Sequence, residues 1–496
     1  MNLRFIVLYM FCLPVFMIGQ DLSEGLMVND LSLHPMQDIE KPAYLSTIID
    51  PSFGTTIRRI SNAGAGEVIV PMYSTIQAWN ADESMMILYN QTAGHHELLD
   101  GMNYQFIRSL DDVSPDDIEQ IFWDFNDPNI FYYPDNSTKD FIKYSVSDQS
   151  KETLVNMIEV SACGGGISMG NDIQMMSWDS DVFTFRCENA TGYCYRISTK
   201  ELTTFEISEL NYTAPTVAPS GNRFYHETHV YDSLGNKVLD LNVNKSEHSS
   251  IGKLANGNDA YFAIAFAEGP NGGCIGDIIA HDLTTGECIP VISESQGYDY
   301  PQSGTHISSL AHKNTEGGWL AASMMGYDKD GQELLDQELV IAKVEDGNIK
   351  VCRIGHHRSD EDQFDYWGEP HAVISPSGTR VLFGSDWSGA EDGESVDSYV
   401  VELPSFSTSS AVGGLNLKPA TFKIYPNPVH ERATLVFEDS SQMSIMVYDI
   451  NGRKLIQENF NGNRYEINTE RLGAGLYFFT ATDGVGAAMK GKFVKN

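Results

Sequence analysis

The sequence predicts an all-β protein, a seven-bladed β-propeller followed by a small β-sandwich. Three observations carry that expectation. Between Pro51 and Pro404 almost no stretch spaces its apolar residues as a helix would. Through the same region one phrase recurs, a turn rich in Asn, Asp, Ser and Gly followed by an alternating apolar strand. From Thr421 onward the pattern changes to short alternating stretches punctuated by Pro, Asn-Gly or Gly, as in a small antiparallel sandwich.

The recurring phrase begins at Trp79 (WNADESMMILY), Phe125 (FNDPNIFYY), Ser177 (SWDSDVFTF) and Ala218 (APSGNRFYHE). It returns at Leu254 (LANGNDAYFAI), Asn314 (NTEGGWLAAS) and Ser375 (SPSGTRVLFGSDW). Seven occurrences at intervals of roughly 35 to 60 residues fit four-stranded propeller blades. A blade cannot hide both of its faces alone, so closing the ring is what makes such a fold stable. The strand near Thr55 to Ile60 is expected to complete the last blade and lock the circle. The resulting division is a signal peptide at 1–19, an N-terminal segment at 20–50 and a propeller at 51–404. A Ser/Gly-rich linker at 405–420 and a C-terminal module at 421–496 follow.

The two ends predict where the chain goes. Met1 to Gly19 carries an early Arg4 and an apolar run from Phe5 to Ile18. That run is too short to span a bilayer and fits a cleaved signal peptide, and no later segment is apolar enough to cross a membrane. At the other end stand Tyr425-Pro426-Asn427-Pro428, Tyr448-Asp449, Asn451-Gly452-Arg453, Gly473 to Tyr477 and Lys490-Gly491-Lys492. Together these motifs resemble the type A C-terminal sorting domain of type IX secretion cargo in Bacteroidetes. The resemblance implies the type IX secretion machinery as partner, passage through the periplasm, and a secreted or outer-surface location.

Charge and cysteines narrow the function. With 68 acidic against 32 basic residues the net charge is −36, which excludes nucleic acid as a partner. An acidic polysaccharide would be repelled too, unless a cation or a local basic cluster intervenes. Beyond Cys12, which lies inside the apolar run, six cysteines remain. Cys187 and Cys194 flank an expected hairpin and Cys274 and Cys288 lie across a strand pair, so either pair suits a disulfide in an oxidising compartment. No C-x-x-C occurs, so no zinc knuckle is expected.

Propellers bind ligands where their innermost strands begin. His248, His306, His356, His357 and His371 each precede a blade phrase, where a channel-facing residue should lie. Neutral imidazoles converging from different blades suit a divalent metal. Glu369 and His371 are two apart, so an extended strand points both to one ion. The plainer reading is that these groups bond water or one another, and that His357-Arg358-Ser359-Asp360 braces a loop.

The order of blades and the ending Glu369-Pro370-His371 before AVISPSGTRVLFGSDW resemble oligogalacturonate lyase, a propeller enzyme of pectin breakdown. That family carries His-Pro-His before the same phrase. Glu369 therefore stands for the first His, and Tyr366 falls where the family has a glutamine ligand. The resemblance implies His306 and His371 as metal ligands, Glu369 in the place of the first His, and His248 as catalytic base, while His357 is a further candidate ligand from the histidine series itself. The reaction implied is β-elimination next to a uronate, with Arg223 or Arg358 steadying the developing charge and Mn, Zn or Ca as the ion. The alternative is a non-catalytic propeller that binds glycans or proteins at the cell surface. Gly166-Ile167-Ser168-Met169-Gly170 matches a nucleophile elbow only as a string, because it precedes a blade strand and not a helix.

Overall fold

The computed structural model describes residues 20–406, apart from 165, 170–175, 189, 208–213, 244–246, 302–304, 346, 361–362 and 389–392. It also describes residues 422–496, apart from 449–453 and 484–487. The expected signal peptide, most of the linker and the Asn451-Gly452-Arg453 turn lie outside the described residues. Two compact units follow one another, up to Phe406 and from Ser407.

In the first unit seven antiparallel sheets succeed one another, five of them four-stranded. Most blades open on a short inner strand and turn back into a longer second one. The sixth is representative, with strands His306–Ser308, Trp319–Met324, Glu338–Lys343 and Lys350–His356. The third has three strands and gains an inner edge from the bridge between Met176 and Phe183. Second strands such as Asp259–Ala265, Trp319–Met324 and Arg380–Ser385 are buried along their whole length. A neighbour covers each face, so they depart from the alternation expected of a half-buried strand.

The ring is visible in the packing. Ile87, Phe131 and Phe183 join blades one to three, and Val182 and Phe224 join three to four. Tyr225 stacks on Tyr261 between blades four and five with centroids 3.9 Å apart. Phe262 and Val340 join five to six, while Leu339, Phe383 and Trp79 join six, seven and one. The last blade therefore meets the first. Each such buried aromatic or aliphatic side chain stabilises the ring by about 1.5–3 kcal/mol.

The polar residues of the repeated phrase serve the same end. Asn80 accepts the amide of Met85 within its own turn and donates to the carbonyl of Pro128 in the next blade at 2.8 Å. Closure comes from far apart in the chain. Thr56–Arg59 pairs antiparallel with Asp397–Glu402, from Thr56 opposite Glu402 to Arg59 opposite Tyr399. Arg58 Nε donates to Glu402 Oε1 at 2.7 Å across that seam.

The cysteine expectation needs one correction. Cys274 and Cys288 are bonded, but Cys187 is bonded to Cys163 and not to Cys194. Cys187 and Thr191 end a tight hairpin in which Cys194 opposes Thr184, so the Cys187 side chain meets the preceding loop instead. Cys194 and Cys352 are buried thiols, each pushed up to about 12 by burial. Peptide mapping without reductant should recover the crosslinks Cys163–Cys187 and Cys274–Cys288. Cys194 and Cys352 should alkylate only after denaturant is added.

In the second unit the strands Phe422–Tyr425, Arg432–Tyr448, Lys454–Asn468, Gly475–Asp483 and Ala488–Lys495 form one antiparallel network. Its core is built from Val429, Leu435, Ile445, Val447, Phe479 and Phe493.

Candidate metal centre

Three consecutive blades each begin with a histidine. His248 is the second residue of the strand Glu247–Lys253, His306 opens His306–Ser308, and His371 stands just before Val373–Ile374. Because inner strands line the axis, their first residues meet at one end of the channel. The rings of His248 and His306 stack at 4.2 Å, and His371 meets His306 edge-on at 4.4 Å.

Glu369 completes the group. Its Oε2 lies 3.3 Å from His306 Nε2 and 3.0 Å from His371 Nε2. One donor atom from each of His306, Glu369 and His371 falls within 4.8 Å of the others. In an octahedral shell with bonds of about 2.1 Å, adjacent ligand atoms sit about 3 Å apart, so the spacing suits a divalent ion. Two imidazole nitrogens and one carboxylate oxygen form a donor set that Mn, Zn and Fe accept.

The backbone is bent to make this arrangement. His248 and His371 adopt φ of +48° and +43°, left-handed values that β-carbon sterics disfavour. Such strain costs on the order of 1–3 kcal/mol per residue and persists only where surrounding bonds fix it. Around His371 those bonds run from Gly384 N to Pro370 O at 2.7 Å and from Ile374 N to Ser308 Oγ at 3.2 Å. His248 Nδ1 donates to the Thr305 carbonyl at 3.0 Å, which fixes its tautomer and leaves Nε2 as a lone-pair acceptor.

Aromatic groups wall the site. Tyr73 approaches His371 at 4.8 Å and His306 at 5.5 Å between centroids, and Tyr366 approaches His371 at 4.9 Å. The Tyr366 hydroxyl donates to Glu119 Oε1 at 2.6 Å. Tyr73, Tyr366 and Glu119 went unread as site residues, since no metal or catalytic pattern surrounds them. The one cue was Tyr366, at the position where a ligand was expected.

Three other expected site residues lie elsewhere. His357 is fully buried, its Nε2 donating to the Met324 carbonyl at 3.0 Å and its Nδ1 accepting the Ser359 amide at 3.1 Å. With both nitrogens engaged by backbone it has none to offer a metal, and burial pushes it down to about 3. Arg358 is also fully buried, its Nη1 donating to Asp50 Oδ2 at 3.1 Å, with the guanidinium over Trp387. No substrate can reach it there. Arg223 begins the second strand of its blade directly after the turn that ends the inner strand, opposite Asp232. That turn is at the far end of the blade from where inner strands begin, so Arg223 stands away from the histidines. Trp79 and Trp387 are completely buried, so neither can stack on a sugar. His357→Leu should keep the metal content of the native protein. It should lower the melting temperature by the equivalent of about 1–3 kcal/mol, because the Met324 carbonyl loses a buried donor.

Fold and site together define a seven-bladed propeller with a His-rich centre at the channel mouth. Residues 423–496 match the secretion system C-terminal sorting domain family. The protein is therefore exported by the type IX route to the cell surface or extracellular space. Among the described residues no helix is long and apolar enough to cross a membrane. The structure of an oligogalacturonate lyase in complex with manganese is similar, with TM-score 0.52 and 15% identity, covering 74% of this chain and 98% of that one. Oligogalacturonate lyase from Vibrio parahaemolyticus aligns at 14% identity and TM-score 0.49, covering 72% of this chain and 96% of that one. The first of these likenesses, under 25% in identity, shows the fold alone. No curated protein matches the sequence.

Proposed function

We propose that the propeller is a secreted, metal-assisted polysaccharide lyase acting on uronate-containing chains by β-elimination. The observation that carries this reading is the meeting of His306, Glu369 and His371 with a tautomer-locked His248 stacked beside them. It is supported by the fold's likeness to a lyase solved with manganese. A divalent ion bound there supplies the positive field that draws charge off a uronate carboxylate and acidifies the neighbouring C5 proton. Mn, Zn or Ca would each serve, and the two imidazoles favour Mn or Zn over Ca.

His306, His371 and Glu369 would hold that ion. His248 Nε2, kept as an acceptor by the bond from Nδ1 to Thr305, takes the C5 proton as general base. Tyr73 and Tyr366 exclude water and give the sugar an apolar face to lie against. The charge conflict is met locally, since the ion is positive where the protein as a whole is strongly acidic.

Elemental analysis of the purified chain after dialysis, followed by incubation with pectate, alginate, ulvan and glycosaminoglycans, tests the reading. Bound divalent metal and growth of the ultraviolet absorbance of a new conjugated C=C are the expected results. A protein that takes up no metal, or that leaves every one of these polymers intact when loaded, overturns it.

A further inference from the structure

A cleft of about 310 Å³ opens at the turn ends of blades five and six, where their inner strands finish. It is at the other end of those strands from His248 and His306. Lys253, the last residue of Glu247–Lys253, lies on its wall with Asn256, Thr315, His312, Trp319 and the indole of Trp178 from blade three. The volume is at the lower end of those that hold small ligands, about the size of one or two sugar rings.

The chemistry of the wall is selective. Among the described residues Lys253 is its one charged member and no carboxylate lines it. Among the described residues Lys253 has no salt-bridge partner; Asp259, opposite it in the strand pairing, feels its charge, while that carboxylate accepts from the amide and hydroxyl of Ser220. The Lys253 ammonium sits 5.8 Å from the centre of the Trp178 ring, so a cation and a half-exposed aromatic face are presented together. His312 packs between Trp178 at 5.9 Å and Phe125 at 4.7 Å, with Nδ1 donating to the Leu310 carbonyl at 3.1 Å. That packing holds the aromatic wall rigid. Amide and hydroxyl side chains at the rim, Asn256 and Thr315, supply both donors and acceptors.

An aromatic face for a pyranose ring, one ammonium for a carboxylate, and a neutral polar rim for hydroxyls are what an acidic sugar requires. We infer that this cleft is a second, non-catalytic binding site for an acidic saccharide, on the face of the propeller opposite the metal centre. The choice of uronates as its ligand rests on the proposed activity, whereas the cleft itself does not. Two sites on opposite faces would let one chain hold a polymer while another segment is cut, which raises effective concentration.

The test is calorimetric titration of the full chain in EDTA with oligogalacturonate and with oligomeric alginate, using a neutral oligosaccharide for comparison. Saturable binding is expected without metal, and Lys253→Met and Trp178→Ala should each weaken it about tenfold, as loss of one anchoring contact does. Lys253 is only half-buried, so its variant should fold normally even if the tryptophan variant does not. Absence of saturable binding in EDTA, or equal affinity in Lys253→Met, overturns the inference. Because the metal is removed throughout, a failed lyase assay leaves this outcome readable on its own.

Discussion

His371→Ala should strip the channel centre of its metal. The side chain supplies one of three donors that lie within 4.8 Å of one another, and neither His357 nor Arg358 can move in to replace it. Loss of a direct ligand should exceed the effect of removing an outer partner of a metal ligand, which weakens metal binding about 10–100-fold. A fall in affinity beyond about 100-fold is therefore expected, read by competition with a chromogenic chelator. Formation of unsaturated product should drop to background at the same time. Glu369→Gln should behave similarly, since an amide keeps the shape but loses the charge. Retention of native metal content by both variants would show that the ion binds elsewhere.

Arg358→Ala should be the most destabilising single change in the propeller. Asp50 and Arg358 are both fully buried, 3.1 Å apart, and 308 residues apart in the chain. Removing one partner of a buried pair leaves an uncompensated charge and costs about 3–5 kcal/mol. Burial alone would raise the Asp50 carboxyl. The hydrogen bond from His356 and the charge of Arg358 outweigh it and hold the group well below the usual carboxylate range. A depressed folded value contributes stability above the unfolded value near 3.9, and that stability is lost as pH falls through the folded one. Thermal melts should therefore show a wide gap between native and variant protein at neutral pH. The gap should narrow below about pH 4, where Asp50 begins to protonate in the unfolded chain. A gap that stays constant across that range would mean the stabilisation is packing over Trp387 and not charge.

Much of the propeller could be read in advance because its signal is repeated. Seven turn-and-strand phrases each point to the same unit, and any one could be weak without changing the count. The placing of His248, His306 and His371 at or beside the start of inner strands could be read for a related reason, as each precedes a phrase. The misread residues depend on contacts that local sequence does not encode. His357-Arg358 looks like a polar loop until Asp50, from the N-terminal segment, is packed against it. Arg223 was expected to steady the developing charge, although its place just after a turn assigns it to the opposite end of the blade. Cys187 was paired with its neighbour in sequence, whereas Cys163 reaches it through a loop with no strand pattern to announce it. Tyr73 and Glu119 gain meaning only from what the ring brings beside them.

The seam between Thr56–Arg59 and Asp397–Glu402 has a bearing on biogenesis. Until Glu402 has left the ribosome the first and last blades have nothing to clasp, and two long sheet edges stay bare. Pairing over such distances is slow, because most of the entropy of the intervening chain must be given up first. The two ligands of the seventh blade, Glu369 and His371, are also synthesised late. A nascent or truncated polypeptide ending before this seam would thus be both sticky and unable to hold an ion, so that capacity for metal arrives together with a finished circle.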